Sequence, residues 1–257
     1  GALPKPDILF FKIDFYGRES ESYFLVWLPD DWEEQEVKEA IVYSQGHGSR
    51  KPQGFSDLHQ YAVERGMAIF MPQIWIEGET PHGYSPWKKG PKDRERGLPD
   101  GYHLKAEDEF MFLNSIVDEY GVDSVYLYGF SISGAMVMQV AAYDRYGPDV
   151  VDLTVVSGGG MYYDHHLIRQ MEEQGLEQFF QGENFFFFGE IGGDKVPEQE
   201  KSETDTTEII IEYGGNLVME EWRKVPHGGL HRQLHELMNE SLDLYEEILA
   251  ERIGVES

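Results

Sequence analysis

Apolar positions along the chain fall into short runs with two different spacings, and the spacing assigns the elements. "ILFFKIDFY" (Ile8–Tyr16) and "ESYFLVWL" (Glu21–Leu28) are rich in aromatic and β-branched residues. Gly17-Arg18-Glu19-Ser20 lies between them, which predicts an antiparallel hairpin. "AIVYSQ" (Ala40–Gln45) predicts a third strand, and "DLHQYAVER" (Asp57–Arg65) has helical spacing with Gly66 placed to cap it. "MAIFMPQIW" (Met67–Trp75) returns as a strand. From Leu104 to Tyr120 the apolar residues Phe110, Leu113, Ile116 and Val117 share one helical face.

The remaining chain alternates strictly. "SVYLYGF" (Ser124–Phe130) predicts a strand, "ISGAMVMQVAAYDRY" (Ile132–Tyr146) a helix, and "VVDLTVVSGGG" (Val150–Gly160) a strand. A helix is expected over His165–Phe180, a fully buried strand over Asn184–Glu190, a helix over Thr204–Gly214 and a strand over Leu217–Trp222. His231–Ile253 reads as a long amphipathic terminal helix. A leading hairpin followed by alternating units implies a mostly parallel, doubly wound sheet of about eight strands with helices on both faces. Residues 1–257 are expected to form one domain, with no repeat, linker or low-complexity tract dividing them. Two connections qualify this picture. Glu77–His103 is far longer than the ~2–6 residues usual between such elements, and it carries Tyr84, Trp87 and Tyr102. Only about one helix fits between the Val151 and Phe185 strands, which leaves no room for a large cap domain.

Charge narrows the partners. The chain carries 48 Asp and Glu against 21 Lys and Arg, a formal net charge of −27. That field repels phosphate backbones and anionic lipid, so neither nucleic acid nor a membrane surface is an expected partner. No run approaches the roughly 18 apolar residues of a membrane span. The absence of cysteine excludes disulfides, thiolate catalysis and cysteine metal sites. No cofactor motif is recognised. "GALPKPDILFF" at the start lacks a basic segment followed by an apolar one, so no signal peptide is expected there, and the sequence is compatible with secretion or cytoplasm.

In an open parallel sheet, ligands bind beyond the carboxyl ends of the strands. Those ends carry Gln45-Gly46-His47-Gly48, Gly129-Phe130-Ser131, Gly189-Glu190 through Asp194, and Val225-Pro226-His227-Gly228-Gly229. A serine hydroxyl needs an adjacent base to become nucleophilic, and an imidazole base needs a carboxylate to fix its tautomer. Ser131, Asp194 and His227 supply the three groups in that chain order. Ser133, Glu190 and His231 are the respective competitors, with Glu190 nearer the strand end than Asp194. Small residues two before and two after the nucleophile allow a tight strand-to-helix turn, here Gly129 and Ser133. Glycine is commoner at the second position. Ile132 then offers its backbone N–H at a helix N-terminus to a developing oxyanion. His227, His231 and His235 fall at helical spacing, but Gly228-Gly229 interrupts the helix, so no metal face is expected.

Gly129–Ser133, with the acid and base following in order, resembles the α/β-hydrolase superfamily over nearly the whole chain. Within it, "EDEFMFLNSIVDEYGVDSVYLYGFSISGAM" (Glu107–Met136) is similar to the polyhydroxybutyrate-depolymerase and feruloyl-esterase type of esterase. Asp108, Phe110 or Met111, and Tyr120-Gly121-Val122-Asp123 stand in the places of that type's helix and turn. Gln45-Gly46 replaces its usual His-Gly, and its frequent disulfides are absent. The resemblance implies an α/β-hydrolase fold and a serine esterase acting on a small-molecule ester, with a small acyl or aryl group. By the same analogy the N–H of His47, or of Gly48, is the second oxyanion donor, and Trp75, Tyr84 and Trp87 line an acyl or aryl pocket. Two other readings stay open: a non-catalytic protein of this fold binding a small apolar ligand, and a peptidase or thioesterase using the same three groups.

Overall fold

The hairpin at the start forms from β1 (Asp7–Phe15) and β2 (Arg18–Trp27), paired antiparallel with Asp7 opposite Val26 and Phe15 opposite Arg18. The computed structural model describes residues 7–15, 18–44, 55–72, 106–193, 195, 197–227, 229–230 and 234–256. A short 3₁₀ turn, Trp32–Glu34, leads into β3 (Glu39–Ser44). Alternation then sets in: α1 (Phe55–Arg65), β4 (Ala68–Pro72), α2 (Ala106–Tyr120), β5 (Ser124–Phe130), α3 (Ile132–Asp144), β6 (Val151–Ser157), α4 (His166–Glu173), β7 (Asn184–Glu190), α5 (Pro197–Glu212), β8 (Asn216–Arg223) and α6 (Leu234–Glu256). The eight strands form one sheet in the order β1-β2-β4-β3-β5-β6-β7-β8. β2 meets β4 antiparallel, and all pairs from β4 to β8 are parallel. The expected doubly wound sheet with a leading antiparallel hairpin is therefore present, and the strand order reverses between β3 and β5. Such a reversal opens a crevice at the strands' carboxyl ends.

Strand parity divides the interior into two cores. Val42, Leu127, Phe185 and Phe187 face one side, where Leu113 of α2, Val137 of α3, Leu167 of α4 and Ile209 of α5 pack on them. Ile41, Tyr43, Tyr126, Tyr128, Phe186 and Phe188 face the other, against Leu58 and Tyr61 of α1 and Leu237, Met238 and Leu242 of α6. Alternate residues of a strand point to opposite faces. The Phe185–Phe188 run therefore feeds both cores at once, and each ring is at most 1% exposed. Burying one such ring contributes roughly 1.5–3 kcal/mol. On α2, Leu113 and Ile116 are buried and Val117 half-buried, as the helical spacing of the sequence implied.

Element boundaries differ from the sequence expectation in several places. Arg18, Glu19 and Ser20, expected in the hairpin turn, pair within β2. The two largest differences are in helices. The helix expected over His165–Phe180 stops at Glu173. The N–H of Gly175 donates to the Glu172 carbonyl at 2.9 Å and that of Leu176 to the Met171 carbonyl at 3.0 Å, a pattern that closes a helix C-terminus. Phe179 and Phe180 are then buried from a turn rather than a helix. In the other direction, α5 begins at Pro197, well before Thr204, because proline's fixed φ suits a first helical position. Between β6 and β7 stands only the eight-residue α4, so no cap covers the strand ends from that crossover.

Candidate active site

β5 ends at Phe130 and α3 starts at Ile132, which leaves one residue, Ser131, to make the bend. It does so at φ 57° and ψ −121°, a conformation that costs a non-glycine residue energy and that over-determined surroundings must hold. The surroundings are explicit. The Ser131 N–H donates to the Ser157 carbonyl at 2.9 Å, and the Gly134 N–H donates to the Ser131 carbonyl at 3.0 Å. Backbone packs so closely that a Cβ on Gly129 would lie 2.3 Å from the Ser133 carbonyl oxygen. A Cβ on Gly159 would lie 2.2 Å from that of Ser131. The glycine after β6 is thus as necessary to the bend as the glycine before it, and the sequence motif contains only the first.

The bend lifts the Ser131 hydroxyl to 3.0 Å from His227 Nε2. His227 stands on the loop after β8, where the Gly229 N–H donates to the Pro226 carbonyl at 2.8 Å and turns the chain toward α6. Its ring stacks on Phe130, with centroids 5.4 Å apart and planes 23° apart. The other ring nitrogen, Nδ1, lies 2.9 Å from Glu190 Oε1. Glu190 is the last residue of β7, and its side chain is wholly buried. Its second oxygen accepts from the Leu230 N–H at 3.3 Å. A carboxylate on Nδ1 keeps that nitrogen protonated and leaves Nε2 as an acceptor toward the hydroxyl.

Of the residues singled out in the sequence, the structure brings together Ser131, His227 and Glu190. Ser133, the rival serine, is fully buried. Ile132 opens α3, so its N–H belongs to the helical turn that lacks intrahelical acceptors. Asp194, His47, Gly48, His231, Trp75, Tyr84 and Trp87 lie outside the described residues. Two neighbours of Glu190 went unread in the sequence. Glu203 of α5 accepts from the Glu190 N–H through Oε1 at 2.8 Å and is ion-paired with Lys195. Burial pushes the Glu203 carboxyl above the usual range, while Lys195 and the Glu190 N–H pull it back. Among the described residues, the three-carboxylate group with metal-like spacing is Asp144, Asp149 and Glu183, at the opposite end of the sheet.

No family model matches the chain, and no curated protein matches it in sequence. Solved structures do. A thermostable esterase superposes at TM-score 0.61 and 17% identity over 93% of this chain and 63% of its own, so this chain spans under two thirds of that protein's length. An S-formylglutathione hydrolase from Agrobacterium tumefaciens superposes at TM-score 0.63 and 12% identity, covering 96% of this chain and 97% of its own. Esterase 2 of Thermogutta terrifontis, in a structure phosphonylated by sarin, gives TM-score 0.59 and 14% identity over 94% and 95%. Likeness at such identities is likeness of fold. The chain has the α/β-hydrolase fold.

Proposed function

We propose that this protein is a serine hydrolase that cleaves carboxylic esters of small acyl or aryl groups through an acyl-enzyme. Ser131 Oγ attacks the ester carbonyl carbon while His227 Nε2 takes its proton. Glu190, rather than Asp194, is the acid that orients His227 and stabilises the imidazolium. The tetrahedral intermediate collapses with expulsion of the alcohol, which leaves with the proton held by His227. Water, deprotonated by His227 in turn, then releases the acid. The N–H of Ile132, and that of His47 or Gly48, hold the oxyanion, each such donor contributing about 10²–10³ in rate. Trp75, Tyr84 and Trp87 supply the apolar wall for the acyl or aryl group.

One observation carries this reading: a hydroxyl, an imidazole and a buried carboxylate in a continuous relay of 3.0 and 2.9 Å, begun at a backbone bend that costs energy to hold. The strained serine favours chemistry over simple binding, since a packing turn has no need of that φ. Neighbours in fold are named as a thermostable esterase and as an S-formylglutathione hydrolase, which makes esters the first carbonyl class to try. The test is intact mass after exposure to a fluorophosphonate, with turnover of p-nitrophenyl acetate and butyrate measured alongside. Wild type is expected to gain one adduct and to turn over both esters, and Ser131→Ala to do neither. Equal labelling of the two proteins would remove Ser131 from the mechanism.

A further inference from the structure

A carboxylate orients an imidazole only if its own main chain is fixed, and the sheet alone does not fix Glu190. In β7 the Phe188 carbonyl faces β6, where it accepts from the Gly158 N–H at 2.9 Å. Two residues on, the backbone groups of Glu190 face the same side, but β6 has ended at Ser157. Ile191, of the opposite parity, donates instead to Arg223 of β8 at 2.7 Å. The N–H and C=O of Glu190 therefore emerge, buried, beyond the last rung of the ladder, where an unpaired group is costly.

Glu203 and Lys195 fill that gap. Glu203 Oε1 accepts from the Glu190 N–H, the Lys195 ammonium donates to the Glu190 carbonyl, and the two side chains are ion-paired with each other. A closed ring of hydrogen bonds thus holds both main-chain polar groups of the residue whose carboxylate meets His227. Side-chain exposure is 2% at Glu203 and 13% at Lys195. An ion pair so buried is a poor way to gain stability, because desolvation offsets its attraction. Its geometry, bridging donor and acceptor of one residue, suits alignment.

We propose that Lys195 and Glu203 are positioning residues for the reaction, holding the main chain of Glu190 so that its carboxylate aims at His227 Nδ1. This rests on the Ser131–His227–Glu190 reading. The experiment is a double-mutant cycle on the full chain, with kcat and KM on p-nitrophenyl butyrate and thermal melting for every variant. Lys195→Met and Glu203→Ala are expected to lower kcat about 10–100-fold, the scale of a small misplacement, with KM changed less than about twofold. Glu203→Gln keeps an oxygen for the Glu190 N–H and is expected to recover part of the loss. In a Glu190→Ala background, Glu203→Ala is expected to cost nothing further, because its effect passes through Glu190. Equal losses with and without Glu190 would overturn the proposal, as would a folded Lys195→Met or Glu203→Ala with wild-type kcat. Full activity of Glu190→Ala would instead overturn the underlying assignment of the acid, so the two failures are distinct.

Discussion

The missing side chain of Gly158 makes the space in which the carboxylate of Glu190 sits. A Cβ at 158 would stand 2.5 Å from Glu190 Oε1, the oxygen that meets His227, and 2.8 Å from the Phe130 ring on which His227 stacks. The residue also holds φ +61°. Gly158→Ala therefore presses on acid and base together. We expect kcat to fall about 10–100-fold on an aryl ester through misplacement of the relay, and stability to fall by about 1–2 kcal/mol from the left-handed backbone. Steady-state kinetics and denaturant melts on the one variant check both. Wild-type kcat in a folded Gly158→Ala would mean that the carboxylate need not stand where it does.

The acid itself separates by substitution. Glu190→Gln keeps volume but puts an amide where the carboxylate meets Nδ1. The matching change in a serine triad, which holds the imidazole in the wrong tautomer, costs about 10⁴ in kcat. Asp194→Asn, outside the Ser131–His227–Glu190 set, is expected to leave kcat near the wild-type value. Kinetics of the pair on p-nitrophenyl acetate, with Glu190→Asp as an intermediate case, read the assignment directly. A large loss at 194 with little at 190 would reverse it.

Strand residues were the most legible part of the sequence, because parity and burial act on every one of them. The Phe185–Phe188 run reads most simply as one fully buried strand, and both cores claim it. The elbow was half legible: Gly129 precedes Ser131 in the motif, whereas Gly159 touches it only through the sheet pairing of β5 with β6. Spacing alone does not choose between Asp194 and Glu190, because it does not say where β7 stops. The pairing of β7 with β8 runs through Glu190 opposite Arg223, so the Glu190 carboxylate leaves from the last strand residue, while Asp194 lies outside the described residues. Lys195 and Glu203 are eight residues apart and look like two of many charges in a chain of net charge −27. Only the end of β6 reveals what they are needed for.

The close approach at the elbow gives a stability prediction without a kinetic counterpart. A Cβ at 129 meets the Ser133 carbonyl oxygen at 2.3 Å and Val137 Cγ2 at 2.5 Å, and the first of these is backbone that cannot rotate away. Gly129→Ala is expected to destabilise by at least about 3 kcal/mol, the upper range for overpacking, or to prevent folding. Ser133→Ala removes only a buried hydroxyl and is expected to keep fluorophosphonate labelling. Urea denaturation and intact mass on both variants test the contrast. A stable Gly129→Ala with unchanged labelling would contradict the tight bend.

At the opposite end of the sheet, Glu183 gives a pH-dependent prediction. It is 4% exposed and stands just before β7, close to Asp144 and Asp149. Burial first, then the charges of Asp144 and Asp149, push its carboxyl from an ordinary 4.5 up to about 8, with Arg145 drawing it back. A folded-state value above the unfolded one means that the folded chain keeps a proton that the unfolded chain has given up. The stability this confers is complete below about pH 4.5 and is lost as pH rises toward about 8. Glu183→Gln mimics the protonated form at every pH. It is therefore expected to match wild type near pH 5 and to exceed it near pH 8 by on the order of 2 kcal/mol, less than the full linkage because the turn can relax toward water. Urea denaturation of both proteins at the two pH values measures the difference, and subtraction cancels the titrating groups that do not interact with Glu183. Parallel stability curves would mean that Glu183 carries its charge in the folded protein without penalty.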